Sequence, residues 1–274
     1  MPASAGAKDI SPRGARPTGG IRTRILVILA LLALALAGTS AAAPPAPVAI
    51  ELTDCDYMES LNTVPGQLVD PLVPADFTVL GAPNLVIGMA TCDADTSDGR
   101  HDRVTFGWAD VSVQPRAGLR APGITLYLYR LEHVATDDLY GAIHRELGAE
   151  CRVMDSALVT VALPVAHATT SDDGASAWDM LSPAGLPATG AVGHTLYREI
   201  GPAVGGYAYL DGTLVNPGVP STAGTFTFDE GSALRGLLGP AWPSRMQAAP
   251  GFAIEGTTLG MIPWAGAPAP RETC

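Results

Sequence analysis

What most restricts the fold of this chain is its punctuation. Short apolar runs recur along it, each closed by glycine, proline or a small polar cluster, and the 31 glycines and 24 prolines leave few stretches long enough for helices. Leu85–Ala90 is apolar without a break and reads as a strand buried on both faces. Strand-like runs follow at Val104–Trp108, Val111–Val113, Ile124–Val134, Ala157–Val165, His194–Ile200, Val204–Leu210, Gly224–Phe228 and Ile254–Ile262. Asp211-Gly212, between Tyr209 and Leu214, carries the signal of a tight hairpin turn. Two helices stand out. One runs from a Thr136 cap to Gly148, with Leu139, Ile143 and Leu147 on one face and His144 and Arg145 in its last turn, where the helix dipole favours cations. A shorter one spans Ser232–Leu238 and ends at Gly239-Pro240. The pattern predicts a mainly β (α+β) protein with one or two short helices.

Residues 1–43 read as a secretory signal peptide. Lys8, Arg13, Arg16, Arg22 and Arg24 precede the uncharged run Ile25–Ala37, and small residues follow up to Ala43. That run is short of the ~20 residues of a membrane span, although no charge appears before Glu51, which leaves an uncleaved, membrane-tethering segment as the alternative. The expected location is secreted or extracellular, with no stable membrane insertion after cleavage. Residues 44–274 are expected to form a single extracytoplasmic domain, and 47% apolar content is enough for a packed core.

Beyond the leader, 11 basic side chains face 26 acidic ones, a net charge of −15. A surface this acidic repels nucleic acid and anionic lipid, so no nucleic-acid partner is expected. Lys8 is the only lysine, and all later basic residues are arginines. A Schiff base, a phosphate-cradling lysine and a Ser-Lys dyad are therefore unavailable.

Cys55, Cys92, Cys151 and Cys274 are an even set in a chain read as exported, so two disulfides are expected. Of the three pairings, Cys55–Cys92 and Cys151–Cys274 are favoured: the first two flank neighbouring strands, and the last would tie down a tail. Zinc is the alternative, but no C-x-x-C spacing occurs and no metal site is predicted.

From about Val69 to Cys151 the chain resembles the acetoacetate decarboxylase-like superfamily. The matching pieces are Val73-Pro74-Ala75-Asp76-Phe77, the strand Leu85–Ala90, Val111-Ser112-Val113-Gln114-Pro115, Tyr127-Leu128-Tyr129, and the acid-capped helix Asp137–Gly148. The resemblance implies an antiparallel β-cone or barrel-like domain with a central cavity. It places the family's nucleophilic lysine just after that helix, where this chain reads Gly148-Ala149-Glu150-Cys151. Iminium-based decarboxylation is therefore not carried over, and no cofactor is expected.

The richest site candidate is the strand Tyr127–His133. Strict alternation puts Leu128, Arg130 and Glu132 on one face, and Tyr127, Tyr129, Leu131 and His133 on the other. Tyr127, Arg130 and Glu132 are the ligand-binding candidates, with a solvated Arg–Glu pair as the plainer reading. His101, His133, His144, His167 and His194 are scattered without metal spacing. Asp93–Gly99 has the look of a calcium loop but lacks glycine at the sixth position and glutamate at the twelfth. No G-x-S-x-G elbow occurs, and Ser232 reads as a helix cap. No catalytic residue is assigned.

Two function classes follow. One is an exported or envelope-associated protein holding a small, apolar ligand, with unknown protein partners. The other is a lysine-independent lyase or hydrolase of a small carbonyl or ester.

Overall fold

The computed structural model of the chain describes residues 43–162, 164–173, 175–184, 193–216 and 222–274. All but the last residue of the predicted leader lies outside them. Among the described residues the elements are, in order, β1 (Val48–Asn62), α1 (Gly66–Val69), β2 (Phe77–Val79), β3 (Leu85–Thr96), β4 (His101–Pro115), β5 (Leu126–Thr136) and α2 (Leu139–Glu146). Then come β6 (Arg152–Met154), β7 (Ser156–Ala162), β8 (Val165–Asp172), β9 (Ala175–Pro183), β10 (Gly193–Ala203), β11 (Gly206–Asn216), β12 (Thr222–Phe228), α3 (Ala233–Leu238) and β13 (Ala241–Pro263). The expectation of a mainly β barrel with short helices holds. No described helix is long and apolar enough to cross a membrane.

Seven strands close a barrel in the order β1-β3-β4-β5-β10-β11-β13, with β13 returning to pair with β1. One seam departs from the antiparallel expectation: β5 and β10 run parallel, Tyr197 opposite Leu126 through Ile200 opposite Tyr129. Parallel pairing needs a long crossover, and here α2, β6 and strands β7–β9 intervene between β5 and β10.

The 23-residue β13 belongs to two sheets. Its start, Ala241–Met246, pairs with β12, and its later residues pair with β1 and β11. From β12 the outer sheet continues through β9 and β8 to β7. One apolar core joins Trp178, Met180 and Phe226 of this sheet to Met58, Ile87, Met89 and Tyr129 of the barrel's outer wall. The free edge of β7 is capped by barrel side chains. Val159 N donates to Thr91 Oγ1 at 3.0 Å and Val161 N to Asp56 Oδ2 at 3.3 Å, which removes an open template for edge pairing.

Asp211-Gly212 is not a turn. It lies inside β11, where Asp211 takes a cross-strand ion pair from Arg198 and Gly212 lies opposite Tyr197. A Cβ on Gly212 would sit 3.1 Å from the Tyr197 ring, so the glycine makes room for an aromatic ring. The turn falls earlier, at Gly205, with φ +80°.

Helix α2 is capped by Asp138 rather than Thr136: its carboxylate accepts from Gly141 N at 3.0 Å and from Thr105 N at 2.9 Å. Ser232 does cap α3, its Oγ accepting from Leu234 N. The disulfides are Cys55–Cys92, stitching β1 to β3, and Cys151–Cys274, fastening the final residues beside β6.

Candidate functional site

The barrel lumen holds a slot walled by Leu52 and Tyr57 of β1, Phe106 and Trp108 of β4, Leu126 and Leu128 of β5, Tyr197 of β10, Leu210 of β11 and Ile254 of β13, with Glu59 and Glu199 also lining it. The space between its walls is about 480 Å³, but the part wide enough for the centre of a water molecule is only about 40 Å³. The lumen is narrow. Gly88 helps define it, because the Trp108 ring crosses the position a Cβ would occupy there, at 2.6 Å from Cε2.

Charge gathers at one end. Arg130 of β5 pairs with Glu199 of β10 and, at 3.6 Å through Nε, with Asp110 of β4. Its Nη1 lies 3.3 Å from His133 Nδ1. Arginine only donates, so His133 Nδ1 accepts and the ring proton sits on Nε2. Helix α2 brings Tyr140 and His144 against these groups. Tyr140 stacks on Phe106 at 4.2 Å between centroids and meets His133 edge-on at 5.6 Å, while His144 lies 4.4 Å from His133.

Enclosure sets the ionisation of this end. Burial pushes Glu59 up to about 7, an effect opposed by the hydrogen bond from Tyr57 and reinforced by the Asp110 charge. Burial also lifts Asp110 to about 6 against the attraction of Arg130. Burial, together with the Arg130 charge, lowers His133 and His144 well below the usual histidine range, so both are neutral. Asp110 Oδ1 and Arg130 Nε meet only through their 3.6 Å ion pair, and Asp110 Oδ2, His133 Nε2 and both ring nitrogens of His144 are buried without hydrogen-bond partners. Buried polar groups are nearly always paired, so this end of the barrel interior is unusual in leaving several unpaired. His144 is thus a neutral component of this cluster, not the helix-end cation expected from its position.

Of the three candidates on β5, only Arg130 reaches the lumen. Glu132 was expected on the same face. A bulge opposite Ala109 and Asp110 breaks the alternation, since two residues of one strand oppose one of the other. Glu132 consequently turns to the outer sheet, where it accepts from Trp178 Nε1 at 3.3 Å, Ser232 Oγ at 2.8 Å and Ala233 N at 2.8 Å. His133 turns inward to Arg130 in its place. Tyr127 also faces away, its hydroxyl closing the 121–127 loop against Ala121 N and O.

Sequence reasoning missed Glu59, Asp110 and Glu199, yet a signal was present. Tyr57-x-Glu59, Trp108-x-Asp110, Leu128-x-Arg130 and Tyr197-x-Glu199 each set a large apolar residue two before a charge within a strand. Period 2 puts both members on one face. A charge repeated on the buried face of four strands requires a shared interior.

No family model matches the sequence, and no curated protein does. Solved structures do match. The enduracididine biosynthesis enzyme MppR, complexed with pyruvate, aligns over 81% of this chain and 91% of its own at 12% identity, with a TM-score of 0.51. An acetoacetate decarboxylase-like enzyme from Sphingomonas wittichii RW1 aligns over 79% and 94% at 10% identity, with a TM-score of 0.51. MppR with HEPES buffer bound gives 0.50 at 12% identity, over 82% of this chain and 89% of the other. The barrel, its outer sheet and their connections are thus the acetoacetate decarboxylase-like fold.

Proposed function

We propose that the chain holds a small, flat, largely apolar and uncharged molecule in the barrel lumen, without a covalent bond to it. The observation that carries this reading is the lining of the slot: aromatic and aliphatic walls with ionisable groups at one end. Arg130 is already claimed by two carboxylates, so an incoming carboxylate would find no unshared cation and two like charges. MppR is complexed with pyruvate, an anion; the charges here favour a neutral relative of such a molecule. With Glu59 near neutrality, its protonated carboxyl can donate to a carbonyl or hydroxyl oxygen. No lysine follows Lys8, so the molecule is held by packing and hydrogen bonds.

Export belongs to the same reading. Two disulfides are stable in an oxidising compartment, and residues 1–43 supply the leader, whose removal N-terminal sequencing of the secreted protein would register.

Quenching of tryptophan fluorescence provides the binding test, because Trp108 lines the slot. Small aryl ketones should quench saturably, and the matching aryl carboxylates should not. Leu210→Trp, which fills the slot, should abolish the response. Equal or tighter binding of the carboxylates, or ketone quenching unchanged by Leu210→Trp, would overturn the assignment.

The second reading is a lysine-independent lyase or hydrolase acting on a small carbonyl or ester. It rests on Glu59, because a carboxyl poised near 7 in an apolar site suits general acid–base catalysis. Turnover that is lost in Glu59→Gln while ketone binding survives would establish it.

A further inference from the structure

One cluster extends behind the lumen to a different chemistry. His133 and His144 are both buried, and of their four ring nitrogens only His133 Nδ1 has a hydrogen-bond partner. The Cys151–Cys274 bridge abuts them. One nitrogen from each ring and Cys274 Sγ all lie within 4.8 Å of one another, and Cys151 Sγ is bonded to that sulfur. A cleft of about 130 Å³ reaches this point from the surface, with His133, Cys151, Glu150, Glu272, Arg152 and Arg271 in its walls. Arg271 pairs with Glu150 there at 2.8 Å.

We propose that reduction of the Cys151–Cys274 bridge converts these two cysteines, with His133 and His144, into a tetrahedral site for a divalent cation of the zinc class. A dithiol supplies the two electrons and closes to its own disulfide, leaving two thiols. Metal entry then expels their two protons to solvent. Zinc–sulfur and zinc–nitrogen bonds set neighbouring ligand atoms about 3.5 Å apart, a spacing that atoms already within 4.8 Å of one another reach by small side-chain shifts while the two sulfurs separate. His133 keeps its proton on Nε2 and ligates through Nδ1, exchanging the Arg130 donor for the metal, while Arg130 keeps Glu199 and Asp110. Two thiolates cancel the charge of the dication, so the loaded site is neutral beside a buried guanidinium, which avoids the cost of enclosing an unpaired charge. Bridge and metal are mutually exclusive fasteners of the same two segments.

The test reduces the protein with a phosphine under nitrogen, so that no added thiol competes, and titrates it with Co²⁺. The expected result is one equivalent per chain, seen as an intense tetrahedral d–d band with thiolate charge transfer. The band should be absent from the oxidised protein, lost in His144→Ala and in Cys274→Ser, and retained when Cys55 and Cys92 are both serine. A reduced protein with native circular dichroism and no tetrahedral band overturns the proposal. So does a band that survives His133→Ala with His144→Ala, or one that follows Cys55 and Cys92. If reduction unfolds the chain, Co²⁺ must restore the native circular dichroism, because binding energy is then folding energy; failure to do so also overturns it.

Discussion

Glu59→Gln should stabilise the protein, and only at neutral and alkaline pH. The carboxyl moves from an ordinary value of 4.5 to about 7 in the fold. Below pH 4.5 it is protonated in both the folded and unfolded states and contributes nothing. Between 4.5 and 7 the folded state binds the extra proton, so stability falls as pH rises. Above 7 the side chain is ionised in both states, and the fold carries the whole penalty of about 3 kcal/mol. Glutamine has nearly the same shape, its amide oxygen can accept the Tyr57 hydrogen bond, and it does not titrate. Wild type and variant should therefore unfold alike at pH 4, and the variant should gain up to about 3 kcal/mol by pH 8. For a chain of this size that is a rise in melting temperature of roughly 6–12 °C. Urea unfolding at intervals from pH 4 to 8 reads the difference directly, which includes the coupling between Glu59 and Asp110. A difference that is flat with pH, or that grows towards acid, would refute the placement of Glu59 in an enclosed lumen.

Three further substitutions test the architecture. Glu132→Ala strips three hydrogen-bond donors of their acceptor between the barrel and the outer sheet. It should cost about 2–4 kcal/mol in chemical denaturation and leave ketone quenching intact. Arg130→Ala leaves Asp110 and Glu199 buried without their cation and should cost about 3–5 kcal/mol while also weakening binding. A stable Arg130→Ala protein would place that pair in solvent. Gly88→Ala forces the Trp108 ring into the slot, so its emission should shift and saturable quenching should vanish. Of the disulfides, Cys151–Cys274 spans 123 residues and Cys55–Cys92 spans 37. Loop entropy assigns about 5 and about 4 kcal/mol, so paired serine substitutions at the former should lower the melting temperature more.

By itself the sequence determined the chemistry that is excluded and the kind of fold. With no lysine beyond Lys8, none of the strands can offer a lysine side chain for an iminium. Short apolar runs between turn residues made strands, and α2 and α3 formed within a few residues of their capping and glycine signals, because those signals act over one helical turn. Tertiary structure decided where the charges meet. Alternation holds along β5 only until the bulge opposite Ala109 and Asp110, and a one-residue break reverses the face of every side chain beyond it. That break sent Glu132 to the outer sheet and His133 to the barrel's inner face, against Arg130. Asp211-Gly212 carried a genuine turn signal, yet pairing with Arg198 and the room needed by Tyr197 kept it inside β11. Glu59, Asp110, Arg130 and Glu199 come from four strands spread over more than half of the chain, so only closure of the barrel brings them together. Local residue preferences reach across one turn or one strand pair, whereas an enclosed polar cluster depends on the register of the whole sheet, which the interacting strands settle jointly.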